Sequence, residues 1–102
     1  MYLIQLLLPL RGAGGGTIDA GAFATTREEL VNVFKGVTAY ARTPAQGVWI
    51  SPQGEKQQDD VIMVEVLADE FEPAWWRDFG QTLAKRFDQE EIHIRALAAQ
   101  VP

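Results

Sequence analysis

The sequence predicts an α+β domain in which a four-stranded antiparallel sheet carries two helices on one face. Three observations lead there. Val61 to Ala68 (V-I-M-V-E-V-L-A) is an apolar run broken only by Glu65, as expected of a strand with sheet neighbours on both sides. Tyr2 to Leu10 alternates, so that Tyr2, Ile4, Leu6, Leu8 and Leu10 share one side while Leu3, Gln5 and Leu7 share the other, which is the period of a β-strand. From Ala74 to Phe87 the period changes: Trp75, Trp76, Phe79, Leu83 and Phe87 fall within an arc of about 120° at about 3.6 residues per turn, the pattern of an amphipathic helix.

The remaining elements follow in chain order. Pro9 has no amide hydrogen to give to a ladder, so pairing of the first strand is expected to stop near it. Arg11 to Thr17 (R-G-A-G-G-G-T) reads as a flexible loop. It does not satisfy a dinucleotide fingerprint, because Thr17 or Asp19 stands where the third glycine is required, and no Gly-Lys-Ser/Thr follows for a phosphate loop. Thr25 and Thr26, followed three residues later by Glu28 and Glu29, offer two capping boxes for a first helix running to about Lys35. Leu30, Val31, Val33 and Phe34 are its expected buried side, and Gly36 its stop. Val37 to Thr43 reads as a strand interrupted by Pro44 to Gly47, and Val48-Trp-Ile50 resumes it or begins a protruding hairpin. Ser51-Pro-Gln-Gly54 suits the turn. The polar Glu55 to Asp60 then leads back into the apolar run. Pro73 fits the first position of the second helix, and Glu91 to Ala98 closes the chain as a strand with Ile92, Ile94, Ala96 and Ala98 inward and Glu91, His93, Arg95 and Leu97 outward.

Composition bounds the function classes. A chain of 102 residues with 47% hydrophobic and 23% charged residues suits one folded domain, residues 1–102, with a single core. Its net charge of −5, with Lys and Arg scattered, argues against a nucleic-acid partner, since such binding rests on neutralising phosphates. The absence of cysteine excludes disulfides and thiolate-bound metals, and one histidine offers no zinc set, so neither a metal nor another cofactor is expected. No run approaches the roughly 20 apolar residues of a membrane helix. The apolar N-terminal stretch is short and has no Lys or Arg before it, so it is read as a strand rather than a secretory signal, and a cytoplasmic protein is expected.

The predicted order, strand-helix-strand-strand-helix-strand, is that of a ferredoxin-like βαββαβ sandwich. With its long hairpin from Thr43 to Asp60 and its strand Val61 to Ala68, the chain resembles the small ferredoxin-like families: nitrogen-regulatory PII proteins and their PII-like relatives, ACT domains, and the dimeric α+β barrels that include small monooxygenases. The segments Phe34-Lys-Gly-Val-Thr-Ala39 and Phe87-Asp-Gln-Glu-Glu-Ile92 resemble those of small uncharacterised bacterial proteins. A PII-like resemblance implies a signalling role for the hairpin and a nucleotide between subunits, but no matching nucleotide motif is present, so no residue takes that role. A dimeric-barrel resemblance implies a pocket on the sheet. The RNA-recognition motif shares the order but requires aromatics that Val61 to Ala68 does not contain.

If the helices cover Ile4, Leu6, Leu8, Ile62, Val64, Val66, Ile92 and Ile94, the other face presents Gln5, Leu7, Met63, Glu65, Leu67, His93, Arg95, Leu97, Tyr40 and Arg42. A face so rich in apolar groups marks an interface, and self-association into a homodimer or higher oligomer is expected to cover it. His93, Glu65 and Tyr40 are the candidate catalytic residues, with His93 as base beside Glu65. Arg42, Arg95, Gln5 and Trp49 are the candidate ligand-binding residues, the arginines suited to clamping a small anionic ligand. Cross-strand pairing of charged residues is the competing explanation of the same pattern. The Trp75-Trp76 pair likewise admits a cation or sugar platform, although its place on the apolar arc favours core packing.

Two functional expectations result. The first is a non-enzymatic, homo-oligomeric regulatory module that binds a small molecule or protein partner, with residues 44–60 as the contact loop. The second is a small monooxygenase- or isomerase-like enzyme using a polar pocket on the open sheet face.

Overall fold

A computed structural model describes residues 1–34, 36–40, 46–50 and 56–102, with residues 38–40, 46–50 and 56–60 described in their backbone alone. The elements are β1 (Tyr2–Pro9), α1 (Ala20–Val33), β2 (Gly36–Tyr40), β3 (Gln46–Ile50), β4 (Lys56–Ala68), α2 (Pro73–Arg86) and β5 (His93–Ala98). The chain is therefore α+β, with two helices and an antiparallel sheet. Its main path runs β2-β4-β1-β5, and β3 pairs with β4 off that path. Arg42, the continuation of the second strand to Thr43, Pro44 and the Ser51 to Gly54 turn lie outside the described residues.

The apolar run occupies the second half of β4, flanked by β1 and β2. Its polar approach is not a loop. Gln46↔Asp60 through Ile50↔Lys56 pair as a hairpin, so β4 is one strand of 13 residues. Asp59 and Asp60 are strand residues because the β3 backbone satisfies theirs, irrespective of side-chain polarity.

One buried cluster joins a single parity of the sheet to both helices. Ile4, Leu6 and Leu8 of β1 and Val64 and Val66 of β4 are buried with Leu30 of α1 and with Trp76, Leu83 and Phe87 of α2. Ile62, Ile92, Ile94 and Val37 pack against it. Among the outer inward-facing positions, Tyr2 and Ala98 are exposed, because they lie at the strand ends.

The first helix departs most from expectation. It begins at Ala20 with Asp19 as N-cap, not at a threonine capping box, and Thr26 sits inside it. The reason is tertiary. Ala22, Thr26 and Leu30 recur every four residues on one stripe, and Thr26 is 1% exposed. Its hydroxyl donates to the Ala22 carbonyl at 2.8 Å and accepts from Arg86 Nη1 at 2.9 Å. Arg86 also grips Glu29 with both terminal guanidinium nitrogens, Nη2 at 2.8 Å and Nη1 at 2.9 Å. The glutamate of the apparent capping box thus fixes α1 to the end of α2. Val31 and Val33, expected inside, are exposed, while Leu30 is buried and Phe34 half-buried. Gly36 is not the helix stop but the first residue of β2. The helix ends because Phe34 turns extended, its amide donating to Leu30 O at 2.7 Å.

The glycine loop is also more ordered than a linker. Arg11 bridges Thr17, and Gly12 donates to Gly16 O at 2.8 Å. The loop docks on the end of α2: Ala13 donates to Asp88 O at 2.7 Å, and Gln89 Nε2 to Arg11 O at 3.0 Å. Gly12 permits the approach, since a Cβ there would lie 2.6 Å from Asp88 Oδ2.

Replacing Arg86 with Ala is expected to lower unfolding free energy by about 1–3 kcal/mol, because a charged hydrogen-bond hub between the helices is lost. Glu29→Ala, at a more solvated site, is expected to cost about 1 kcal/mol or less. Urea denaturation of both variants, followed by far-ultraviolet circular dichroism, checks the order.

Candidate functional site

The two ladders of β1 fix the face opposite the core. Gln5 lies between Glu65 of β4 and Arg95 of β5, Leu7 between Met63 and His93, and Leu3 between Leu67 and Leu97. On β2 the register adds Gly36 opposite Leu67, Thr38 opposite Glu65 and Tyr40 opposite Met63. The face is therefore three rows across the strands, one charged and two largely apolar.

In the middle row, Arg95 Nε donates to Gln5 Oε1 at 2.6 Å, and Gln5 Nε2 donates to Glu65 Oε2 at 2.8 Å. The amide suits this place because it accepts on one side and donates on the other. It bridges a cation and an anion that β1 holds about 10 Å apart, two strand spacings. Gln5 and Glu65 are half-buried, whereas Arg95 is exposed. The remaining guanidinium nitrogens of Arg95 make no hydrogen bond among the described residues.

The catalytic pairing of His93 with Glu65 is not assembled. They sit two strands apart and in different rows, which by strand geometry separates them by roughly 12 Å. His93 is exposed and makes no hydrogen bond or ion pair among the described residues; the one ion pair there is Arg86–Glu29. The residue in register with Glu65 on β2 is Thr38, and Tyr40 belongs to the row of Met63, Leu7 and His93. Arg42 lies outside the described residues, and Tyr40 and Trp49 enter only by backbone position, with Trp49 opposite Gln57 on the hairpin.

A concavity lies away from that charged row, where the residue pattern does not point to one. A groove of about 830 Å³ lies where the end of α1, the end of β4 and the start of α2 meet, lined in part by Phe34, Trp75, Trp76, Asp69, Glu70 and Glu72. Trp76 is buried and Trp75 half-buried, so core packing and exposure at a groove coexist in the tryptophan pair. The available signal is proximity in sequence: the acidic stretch Asp69 to Glu72 stands two residues before the aromatic pair.

No protein-family model matches the chain, and a search of curated proteins finds no significant match. The site rests on its geometry.

Gln5→Leu is expected to cut the bridge while keeping a strand-compatible side chain. In ¹⁵N spectra, the Arg95 Nε–H resonance should be protected from solvent exchange in the parent chain, and that protection should disappear in the variant.

Proposed function

We propose that this chain is a self-associating, non-enzymatic binding module with a ferredoxin-like arrangement, both helices on one side of the sheet, and that its helix-free face joins a second copy. The observation carrying this reading is the row Glu65–Gln5–Arg95 between the leucine row Leu67–Leu3–Leu97 and the row Met63–Leu7–His93. A two-fold axis parallel to β1, lying between two facing sheets, would set Glu65 over Arg95 of the second copy and the reverse. It would also set Leu67 over Leu97, and Leu3 and Leu7 over themselves. The patch is thus complementary to itself, as an isologous dimer requires. A two-fold axis perpendicular to the strands would oppose like charges, so charge selects the first arrangement.

The exposure of Leu97, 46%, supports the reading, since joining the faces would remove it from water together with its leucine row. The β3–β4 hairpin supports a second contact. β1 pairs with β4 only from Val61 onward, so residues 56–60 extend beyond that ladder as a two-stranded arm. In this proposal the arm contacts a partner protein, and the outward guanidinium nitrogens of Arg95 are available to a small anion at the margin of the joined faces.

Sedimentation equilibrium at micromolar concentration is expected to find a dimer. Glu65→Arg and Arg95→Glu singly should each weaken association at least tenfold, about 1.4 kcal/mol, and combining both in one chain should restore it, because the row is then reversed but still self-complementary. A parent chain that remains monomeric, or a combined variant no better than either single change, overturns the proposal.

A further inference from the structure

The groove beside α2 combines two properties that point to one ligand class. Its aromatic side is a corner. Phe34 stacks on Trp76 at 5.3 Å with an interplanar angle of 18°, and Trp75 stands across both, at 87° to Phe34 and 76° to Trp76. Phe79 backs Trp75 at 5.1 Å. Trp76, 4% exposed, is covered by this packing, so the half-buried Phe34 and Trp75 are the rings that reach the concavity, whose volume, about 830 Å³, is in the range of small-molecule sites.

Its other side is acidic. Asp69, Glu70 and Glu72 are exposed on the groove, and among the described residues none makes a hydrogen bond or ion pair. Glu72 holds the N-cap position of α2 without using its side chain to cap the helix. Met1, which also lines the groove, brings one ammonium charge and the helix N-terminus about half a positive charge, which together offset about half of the three carboxylates. Inorganic cations are poorly served, because among the described residues no three carboxylate or imidazole groups converge on a metal position. Anions are repelled, and a neutral sugar would leave the negative charge unanswered.

We infer that the aromatic, acid-rimmed groove formed by Phe34, Trp75, Trp76, Asp69, Glu70 and Glu72 binds a small organic cation, an ammonium carrying apolar substituents such as a quaternary alkylammonium. Its apolar groups contact the Trp75 indole and the Phe34 ring, its charge is drawn to their exposed π surface, and the carboxylates supply the remaining attraction at a distance that does not require stripping water from them. A cation so bound has its charge spread over methyl groups and needs no hydrogen-bond acceptor at the floor.

The test compares choline with its uncharged isostere 3,3-dimethylbutanol, followed by ¹H–¹⁵N spectra of the intact chain, which has three Trp. Choline is expected to saturate and to move the indole resonances of Trp75 and Trp76, with the alcohol binding at least tenfold more weakly. Asp69→Asn, Glu70→Gln and Glu72→Gln combined, all at exposed positions, should weaken choline severalfold without altering the unfolding midpoint by more than a few degrees. Equal affinity for the two isosteres, no saturable shift with choline, or an unchanged affinity in the neutralised chain would each overturn the inference. Running the titration also in the Arg95→Glu chain separates it from self-association: binding retained in a monomer leaves this site standing even where the dimer fails.

Discussion

The two-sided pleat of β1 is the constraint on which the other features rest. It pairs along its length with β4 and for six residues with β5, so each of its side chains is committed to one of two environments. Ile4 and Leu6 are fully buried and Leu8 nearly so, at 0%, 0% and 1% exposure. Slipping the register by one residue would exchange those three for Leu3, Gln5 and Leu7, placing an amide in the core and turning the Ile4–Leu6–Leu8 surface toward water. Burial of three large aliphatic side chains is worth several kcal/mol at about 1.5–3 kcal/mol each. Core packing thereby fixes the register, and the register fixes the charged row on the opposite face.

The same economy operates between the helices. Thr26 lies on the buried stripe of α1, where a hydroxyl would be costly without partners, and it has two: the carbonyl one turn earlier and Arg86. Arg86 ends α2, where a cation also suits the helix dipole, and its second engagement with Glu29 secures its orientation. Near the other end of the same helix, Trp76 closes the core while Trp75 remains half-buried. One helix therefore holds α1 at its C-terminal end and forms an aromatic wall at its N-terminal end.

The charge distribution is consistent with two surfaces of different use. The sheet face carries opposite charges in one row, separated and bridged by an amide, and so is balanced within itself. The groove carries three carboxylates and, at Met1, one ammonium, with no ion pair formed there among the described residues. As proposed, the balanced face would meet a second copy of itself and the acidic groove a ligand of the opposite sign. Leu67 lies on the first surface and lines the second, so the two adjoin without sharing their charged groups.

The sequence by itself determined the elements whose periodicity is strong. β1 and α2 appear within a residue or two of their expected limits, and β4 ends where its apolar run ends although it begins five residues before it, because side-chain period is a local property that burial then rewards. It also assigned Gln5, Leu7, Met63, Glu65, Leu67, His93, Arg95 and Leu97 to one face by parity, and the two ladders of β1 place them there. Only the tertiary structure decided which of them meet. Gln5 joins Arg95 to Glu65, and His93 stands apart, because cross-strand neighbours follow from register between segments as much as 90 positions apart in the chain. The start of α1 was misread for the same reason: Thr-x-x-Glu has the pattern of a cap, and a partner 57 residues away, Arg86, gives that glutamate another role. The groove, too, exists only because the ends of three elements converge, which no local pattern encodes.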